Sequence, residues 1–587
     1  MIEVFAIQLR LNPNIVGFKI EGEKIVSAHY MDDATIIIKQ NRCFKEVIKE
    51  IKQYEEASGA KVNYKKTKGL WVGSWKGRRT SPMDIKWTSG DVKNLGVYFG
   101  NENPGYKSFE EILPNFKRRL AYWKQFSLSK MGKARVVEMF LASKLIYAIK
   151  FYPLPEIFQK QIQDSIFQYI NFPLKVITIG QKETWKTKTY GGCKLANIQI
   201  KSETSKAKWL MDMITNPVLK LNFNIFTSLI GTQRGNTAAR DLIFMHKPHI
   251  KMMSLIPFYK EALMATCKFD LMKGISDVKK WDEEHIFYNP LILSRNGKVL
   301  KETDYFRKNG IYKLGQLLEE TAKEARNLPY KKNLATLAKN IRLNLDTEKE
   351  DTVILRGSDR VKMAMITQKD LYEEALLKMT TVHIYQTKWY DKLRTVIMWE
   401  EVWNTVHHFL LSNRTKTVIW EQLHLNFYTQ YSYNKWHQVN TICPLCRKVP
   451  ESIYHIILNC DFVTNAWFHI QPLLSSLHTK TVSDEEKAFG IVDIRKTTGL
   501  LLRNWVTFKL REQVMLFERM ACHSSKPVSF DTFKARFNQS MALEMKHHLY
   551  RFKNENKIPM FDKIIAYQGI LCEKIQDREY RFKILLK

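Results

Sequence analysis

Two groups of residues in this 587-residue chain could do chemistry. The first lies in "ICPLCRKVPESIYHIILNCDF", where Cys443, Cys446, His455 and Cys460 follow a C-x2-C-x8-H-x4-C spacing. A two-residue gap lets both thiolates of a knuckle face one ion, and His455 and Cys460 lie a little over one helical turn apart. Three sulfurs and one imidazole suit tetrahedral Zn2+ with no open position, which is a structural site. The second is Asp32-Asp33 in "KIVSAHYMDDATIIIK". At a tight turn both carboxylates can reach one side, where they repel unless a cation joins them. Mg2+ would suit such a pair because it takes carboxylate oxygens together with substrate phosphates, while the two residues by themselves read more simply as a solvated Asp-Asp turn.

The elements around these groups follow from periodicity. Apolar half-alternating runs flank Asp32-Asp33, so the pair is expected at the tip of a β-hairpin. "FKEVIKEIKQYEEASG" places Phe44, Val47, Ile48, Ile51 and Tyr54 on one helical face, with Gly59 as C-cap. Strand character returns in "KVNYKKTKGLWVG" and "VKNLGVYFG". From about residue 108 the pattern is helical, beginning with a basic amphipathic stretch stopped by Pro153 and Pro155. Trp389, Trp399, Trp403 and Trp420 recur in helices before the cysteine cluster and are expected in the core. "LLRNWVTFKLREQVMLFER" reads as a basic amphipathic helix that suits nucleic acid or internal packing equally. Adjacent histidines at 407–408 and 547–548 diverge by about 100° on a helix, which disfavours a shared ion.

Net charge narrows the partners. Lys and Arg total 93 against 59 Asp and Glu, a formal charge of +34 spread along the chain. Such an excess points to a polyanion, foremost nucleic acid. Eight cysteines are too sparse for a secreted disulfide scaffold. No apolar run approaches the roughly 20 residues of a membrane helix, and "MIEVFAIQLRLNPN" lacks the basic and small-residue features of a signal peptide. The expectation is an intracellular protein with no membrane partner; a nucleic-acid partner would place it in the nucleus or in a cytoplasmic ribonucleoprotein.

The motifs, taken in order, resemble non-LTR (LINE-type) retrotransposon reverse transcriptases. Tyr30-Met31-Asp32-Asp33 looks like their Tyr-x-Asp-Asp hairpin. "EASGAKVNYKKTKGLWVG" is similar to the segment that follows it, and "KNLGVYFG" to the primer-grip element, with Asn94 where an aromatic is usual. "LAYWKQFSLSKMGKARVVEMFLASKLIYAIKFYPLP" resembles the thumb, and "WKTKTYGGCKLANIQIKSETSKAKWL" the Gly-Gly-x-x-Leu segment. The cysteine cluster is similar to the zinc-binding region after the thumb. The resemblance implies that Asp32 and Asp33 are catalytic Mg2+ ligands, with Tyr30 beside them. It implies that Lys66 or Lys68 lies near the incoming dNTP and that Leu95 and Gly96 hold the primer end. Arg118, Arg119, Lys124, Lys130, Lys133 and Arg135 would follow phosphates of an RNA–DNA duplex.

The implied fold is α+β: a partial polymerase palm over 1–100, a helical thumb over 101–215 and a helical linker over 216–385. A zinc-binding region over 386–480 and a basic helical region over 481–587 complete it. The family also uses a third carboxylate, on a strand before a Gly-rich motif and the Tyr-x-Asp-Asp hairpin. Only 29 residues precede Tyr30, and no such strand is among them. The chain is therefore expected to be part of an RNA-directed DNA polymerase that performs target-primed reverse transcription when complete, and to be inactive alone. The rival expectation is a non-catalytic remnant that binds element RNA and target DNA through its basic thumb and zinc module.

Overall fold

A computed structural model describes residues 2–20, 22–172, 179–234, 243, 255–272, 286–287, 289, 292–294, 296–298, 300, 311–324, 341–343, 351–379, 384–426, 429–430, 440–479, 481–492, 497–522, 528–576 and 579–586. The fold is mixed α+β, with several small sheets and a largely helical C-terminal region. Two compact units interleave along the chain. One comprises Met1–Arg118, Ser143–Gln163 and Asn197–Lys378, and the other Arg119–Ala142, Asp164–Ala196 and Met379–Lys587.

In the first unit, strands Ser27–Tyr30 and Asp33–Ile36 pair antiparallel, with Tyr30 opposite Asp33. A two-stranded hairpin is marginal alone and needs a helix to cover one face. Helices Ile2–Leu11 and Cys43–Ser58 supply it: Phe5, Leu9, Ile15, Val26, Val47 and Ile51 form one buried cluster. Each such side chain contributes roughly 1.5–3 kcal/mol on burial. The second helix ends as its sequence predicts, at Gly59 (φ 71°), whose N–H bonds the Glu55 carbonyl.

Farther along, strands Asp91–Asn94 and Val97–Gly100 form a hairpin whose turn residues Leu95 (φ 47°) and Gly96 (φ 84°) are both left-handed, the type I′ pattern. A second core gathers Leu210, Met211, Phe226, Leu263, Val353 and Leu371. Within 216–385 strands accompany the helices: Thr352–Leu355 pairs with both Asp270–Met272 and Asp359–Lys362. The Thr-Val-Ile-Leu run favours strand, and positive φ at Arg356 and Gly357 turns the chain back. Much of that linker lies outside the described residues.

The second unit is built on tryptophans. Trp389, Trp403, Trp420 and Trp505 are fully buried, and Trp399 stacks its edge on Tyr385 with centroids 5.0 Å apart. Helix Thr498–Cys522 is buried nearly all round, which decides its role in favour of packing. Three of its cations are held inside the fold. Arg503 forks onto Glu486 at 2.6 and 2.7 Å, Lys509 bonds Glu512 and Glu544 at 2.9 and 2.7 Å, and Arg511 donates to the Ala488 carbonyl. The chain's last described strands, Cys572–Gln576 and Glu579–Phe582, add a hairpin to the helices. No described helix is long and apolar enough to cross a membrane.

Candidate functional site

Cys443, Cys446, His455 and Cys460 converge, with all four ligand atoms within 4.8 Å of one another. Local backbone chemistry brings them there. Cys443 and Cys446 sit in a turn closed by Arg447 N–H to the Cys443 carbonyl (2.8 Å) and Cys443 N–H to the Val449 carbonyl (2.9 Å). Arg447 takes a left-handed φ of 55° to do so. His455 and Cys460 are five residues apart, which in a regular α-helix leaves them about 140° out of line. A π-turn over His455–Asn459 removes that offset, and the Cys460 N–H bonds the His455 carbonyl at 2.8 Å. Sequence spacing alone did not disclose this turn.

The donor set fits zinc. Thiolates about 2.3 Å from a tetrahedral ion lie about 3.8 Å apart, and Cys443 Sγ and Cys460 Sγ are 3.9 Å apart. Cys446 Sγ and His455 Nε2 are 3.4 Å apart. The Cys443–Cys460 hydrogen bond pushes the Cys443 thiol well up and holds Cys460 below the ordinary thiol range. Burial lowers His455, which keeps its imidazole neutral and able to ligate. Leu458 in this turn and Trp467 in the helix after it are buried, and Lys448 pairs with Asp461 at 2.7 Å on the exposed side. Glu451, between the two ligand pairs, is fully buried and accepts the Gln430 N–H. Burial, then the charge of Glu518, pushes its carboxyl up to about 9.

Asp32 and Asp33 are exposed at their hairpin tip. Met31 and Asp32 form the two-residue turn, with positive φ at Met31 (53°) alone, the signature of a II′ turn. Glycine is usual at that position, so Met31 carries strain, and its side chain is 77% exposed. Tyr30 is exposed as well. Among the described residues the only group of three or more metal-ligating side chains is the cysteine–histidine cluster, so no third ligand joins the aspartates. Asn94 Nδ2 donates to Thr35 Oγ1 at 3.1 Å, joining the Leu95-Gly96 hairpin to this one, and Tyr147 Oη donates to the Leu95 carbonyl at 2.5 Å. Lys66 is exposed in a turn and Lys68 opens the strand Lys68–Leu70.

The six cations expected to follow phosphates divide. Arg118, Arg119 and Arg135 are exposed, and Lys124 lies 5.5 Å from the Phe172 ring centroid. Lys130 and Lys133 are buried instead. Lys130 pairs with Glu421 at 3.0 Å, and Lys133 donates to the Phe172 carbonyl. Their apolar surroundings and internal partners withdraw both ammonium groups from an exposed phosphate track, and burial lowers Lys133 to about 8.

No family model matches the chain. A Xenopus laevis protein described as the uncharacterized 149 kDa protein of transposon TX1 is 31% identical over 175 residues. The match spans 29% of this chain and 13% of that relative's length. The chain is thus distantly similar to a transposon-associated protein and carries a Cys3His cluster able to coordinate a metal ion.

Proposed function

We propose that the chain is part of the reverse transcriptase of a non-LTR retrotransposon, with a structural zinc module, and that by itself it binds nucleic acid without polymerising. The observation that carries this reading is the Asn94–Thr35 bond, which holds the Tyr30–Asp33 turn beside the Leu95-Gly96 turn. A carboxylate pair next to a turn that could grip a primer is the pairing a polymerase palm needs. The similarity to a transposon protein supports it. In the complete polymerase Asp32 and Asp33 would hold Mg2+, which would supply charge neutralisation for phosphoryl transfer. Two exposed carboxylates do not satisfy two octahedral ions, which accounts for the inactivity proposed here.

Primer extension on poly(rA)/oligo(dT) with Mg2+ and dTTP tests the reading, alongside binding of the same duplex. Binding without extension is expected. Extension abolished by Asp32→Ala would show a complete active site and overturn the inactivity. Absence of both duplex binding and extension overturns the assignment.

A further inference from the structure

Five elements of the second unit meet around a cluster of cations that their own fold does not neutralise. Helix Lys130–Val136 lies on helix Asn413–Leu423, fixed by Met131 N–H to Thr417 Oγ1 (3.1 Å) and by Lys130 to Glu421 (3.0 Å). The turn Lys188–Tyr190 is held against helix Asn413–Leu423 and helix Trp399–Val406. Trp420 Nε1 donates to the Gly191 carbonyl at 2.7 Å, and a Cβ on Gly191 would lie 2.7 Å from Trp403. Helix Phe530–Asn554 reaches the same place: His548 Nε2 bonds the Leu410 carbonyl at 2.9 Å, and the Arg551 guanidinium lies 5.7 Å from the Phe409 centroid.

These contacts bring Arg135, Lys188, Lys416 and Arg551 together beside His407. Elsewhere in this unit several buried cations have carboxylates, as Arg503 has Glu486, Lys509 has Glu512 and Lys130 has Glu421, while Lys133 and Arg511 bond backbone carbonyls. Among the described residues no carboxylate pairs with Arg135, Lys188 or Lys416, and Arg551 has only Glu555 at 3.8 Å. Burial and then the charges of Lys188, Arg135 and Arg551 lower Lys416 to about 8. Burial and then Lys188 and Lys416 lower His407 to about 3, so its ring is neutral, and neither buried ring nitrogen has a partner among the described residues. Lys416 also sits in the first turns of its helix, where a cation opposes the helix dipole and an anion is favoured. Unmatched charge beside unmet hydrogen-bonding capacity is relieved by an anion.

We propose that Arg135, Lys188, Lys416 and Arg551, grouped beside His407, form a binding site for backbone phosphates of a nucleic acid. The choice of a polymer rests on the function proposed above and on the shape of the cluster. Arg135 and Lys188 are exposed while Lys416 and Arg551 are half-buried, so the charges line an open face that a strand can cross. Sequence reasoning found only Arg135 of this set, because the others come from segments separated by up to hundreds of residues.

The test is anisotropy of a fluorescein-labelled single-stranded RNA across a KCl series, using the full chain, Lys188→Gln/Lys416→Gln and Lys188→Arg/Lys416→Arg. The glutamine pair is expected to reduce the log–log salt slope by about 1.4, or about 0.7 per lost single-strand phosphate contact. The arginine pair is expected to keep it. If the glutamine pair fails to fold, Lys188→Gln alone, at an exposed position, is expected to reduce the slope by about 0.7. An unchanged slope and affinity in a folded glutamine variant overturns the site and leaves the proposed function standing. Absence of single-stranded RNA binding by the parent chain overturns the site, and the proposed function falls with it only if duplex binding and extension are absent as well. Loss of inorganic pyrophosphate binding in the variant, with RNA binding unchanged, would assign the site to free phosphates and overturn the polymer.

Discussion

Asn94 Nδ2 and Thr35 Oγ1 lie 3.1 Å apart, and through them the turn at Leu95-Gly96 is bonded to the strand that leaves Asp33. The two residues are 59 positions apart in sequence. A phenylalanine at 94 has no polar atom and could not make this bond. Asn94 therefore has a local physical role: it supplies a polar tie between two hairpins that are individually marginal.

Met31 should respond to removal of its side chain in an unusual direction. It occupies the left-handed first position of the II′ turn, and its side chain has little packing to lose. Met31→Gly relieves the clash between Cβ and backbone, so it is expected to stabilise the first unit by about 0.5–1 kcal/mol despite glycine's greater freedom when unfolded. Urea denaturation followed by circular dichroism measures this. A loss of stability would mean that the turn does not have the positive φ described.

The Cys3His cluster should carry one zinc per chain. Elemental analysis of the purified protein is expected to give near-equimolar zinc, lost in Cys460→Ser and retained in Cys572→Ser, whose thiol is buried away from the cluster. Binding confined to the folded state adds about 4 kcal/mol when free zinc is a thousandfold above its Kd. Chelation should therefore lower the melting temperature of the parent and leave Cys460→Ser unaffected. Equal zinc in both proteins would exclude these ligands.

Glu486 and Arg503 form the most completely buried ion pair with forked geometry in the second unit. Arg503 is 0% and Glu486 3% exposed, and Arg503 also donates to the Leu474 and His478 carbonyls. Glu486→Ala leaves a buried guanidinium without its carboxylate and is expected to cost about 3–5 kcal/mol. Thermal unfolding reports the loss. A change under about 1 kcal/mol, the range of exposed pairs, would place the pair at the surface.

The legibility of the chain followed the range of the interactions. Helix Cys43–Ser58 and its Gly59 cap were readable because periodicity and capping act within a few residues. The four residues of the Cys3His cluster were readable from spacing, since they lie within 18 consecutive positions, 443–460. The π-turn that aligns His455 with Cys460 was not, because no local residue preference encodes it. The burial of Lys130 and Lys133 was hidden for a different reason. Their helix looks basic and solvated until Glu421 and Phe172, distant in sequence, are brought against it. The same blindness applies to Arg503 and Lys509, whose carboxylates are supplied by tertiary packing.

Lys416 gives the phosphate site a pH dependence that an ordinary surface lysine would not. Its folded value, about 8, lies below its ordinary 10.5. The folded chain thus holds fewer protons than the unfolded chain between those values, and this residue's contribution to stability rises with pH across that window. Binding has the opposite sign. A phosphate beside Lys416 favours the ammonium, so above pH 8 the complex must take up a proton that the free protein has released. The groups that face it are all basic or neutral: Arg135, Lys188, Arg551 and the His407 ring. Lys188 is lowered as well and acts in the same direction. RNA affinity at fixed ionic strength is expected to be flat from pH 6.5 to 7.5. Above pH 8 it should fall by up to about tenfold per unit for one proton taken up. Lys416→Arg, which stays charged throughout, should lose most of that fall. Anisotropy titrations from pH 6.5 to 9.5 on both proteins decide the matter, and identical flat profiles would remove Lys416 from the phosphate contact.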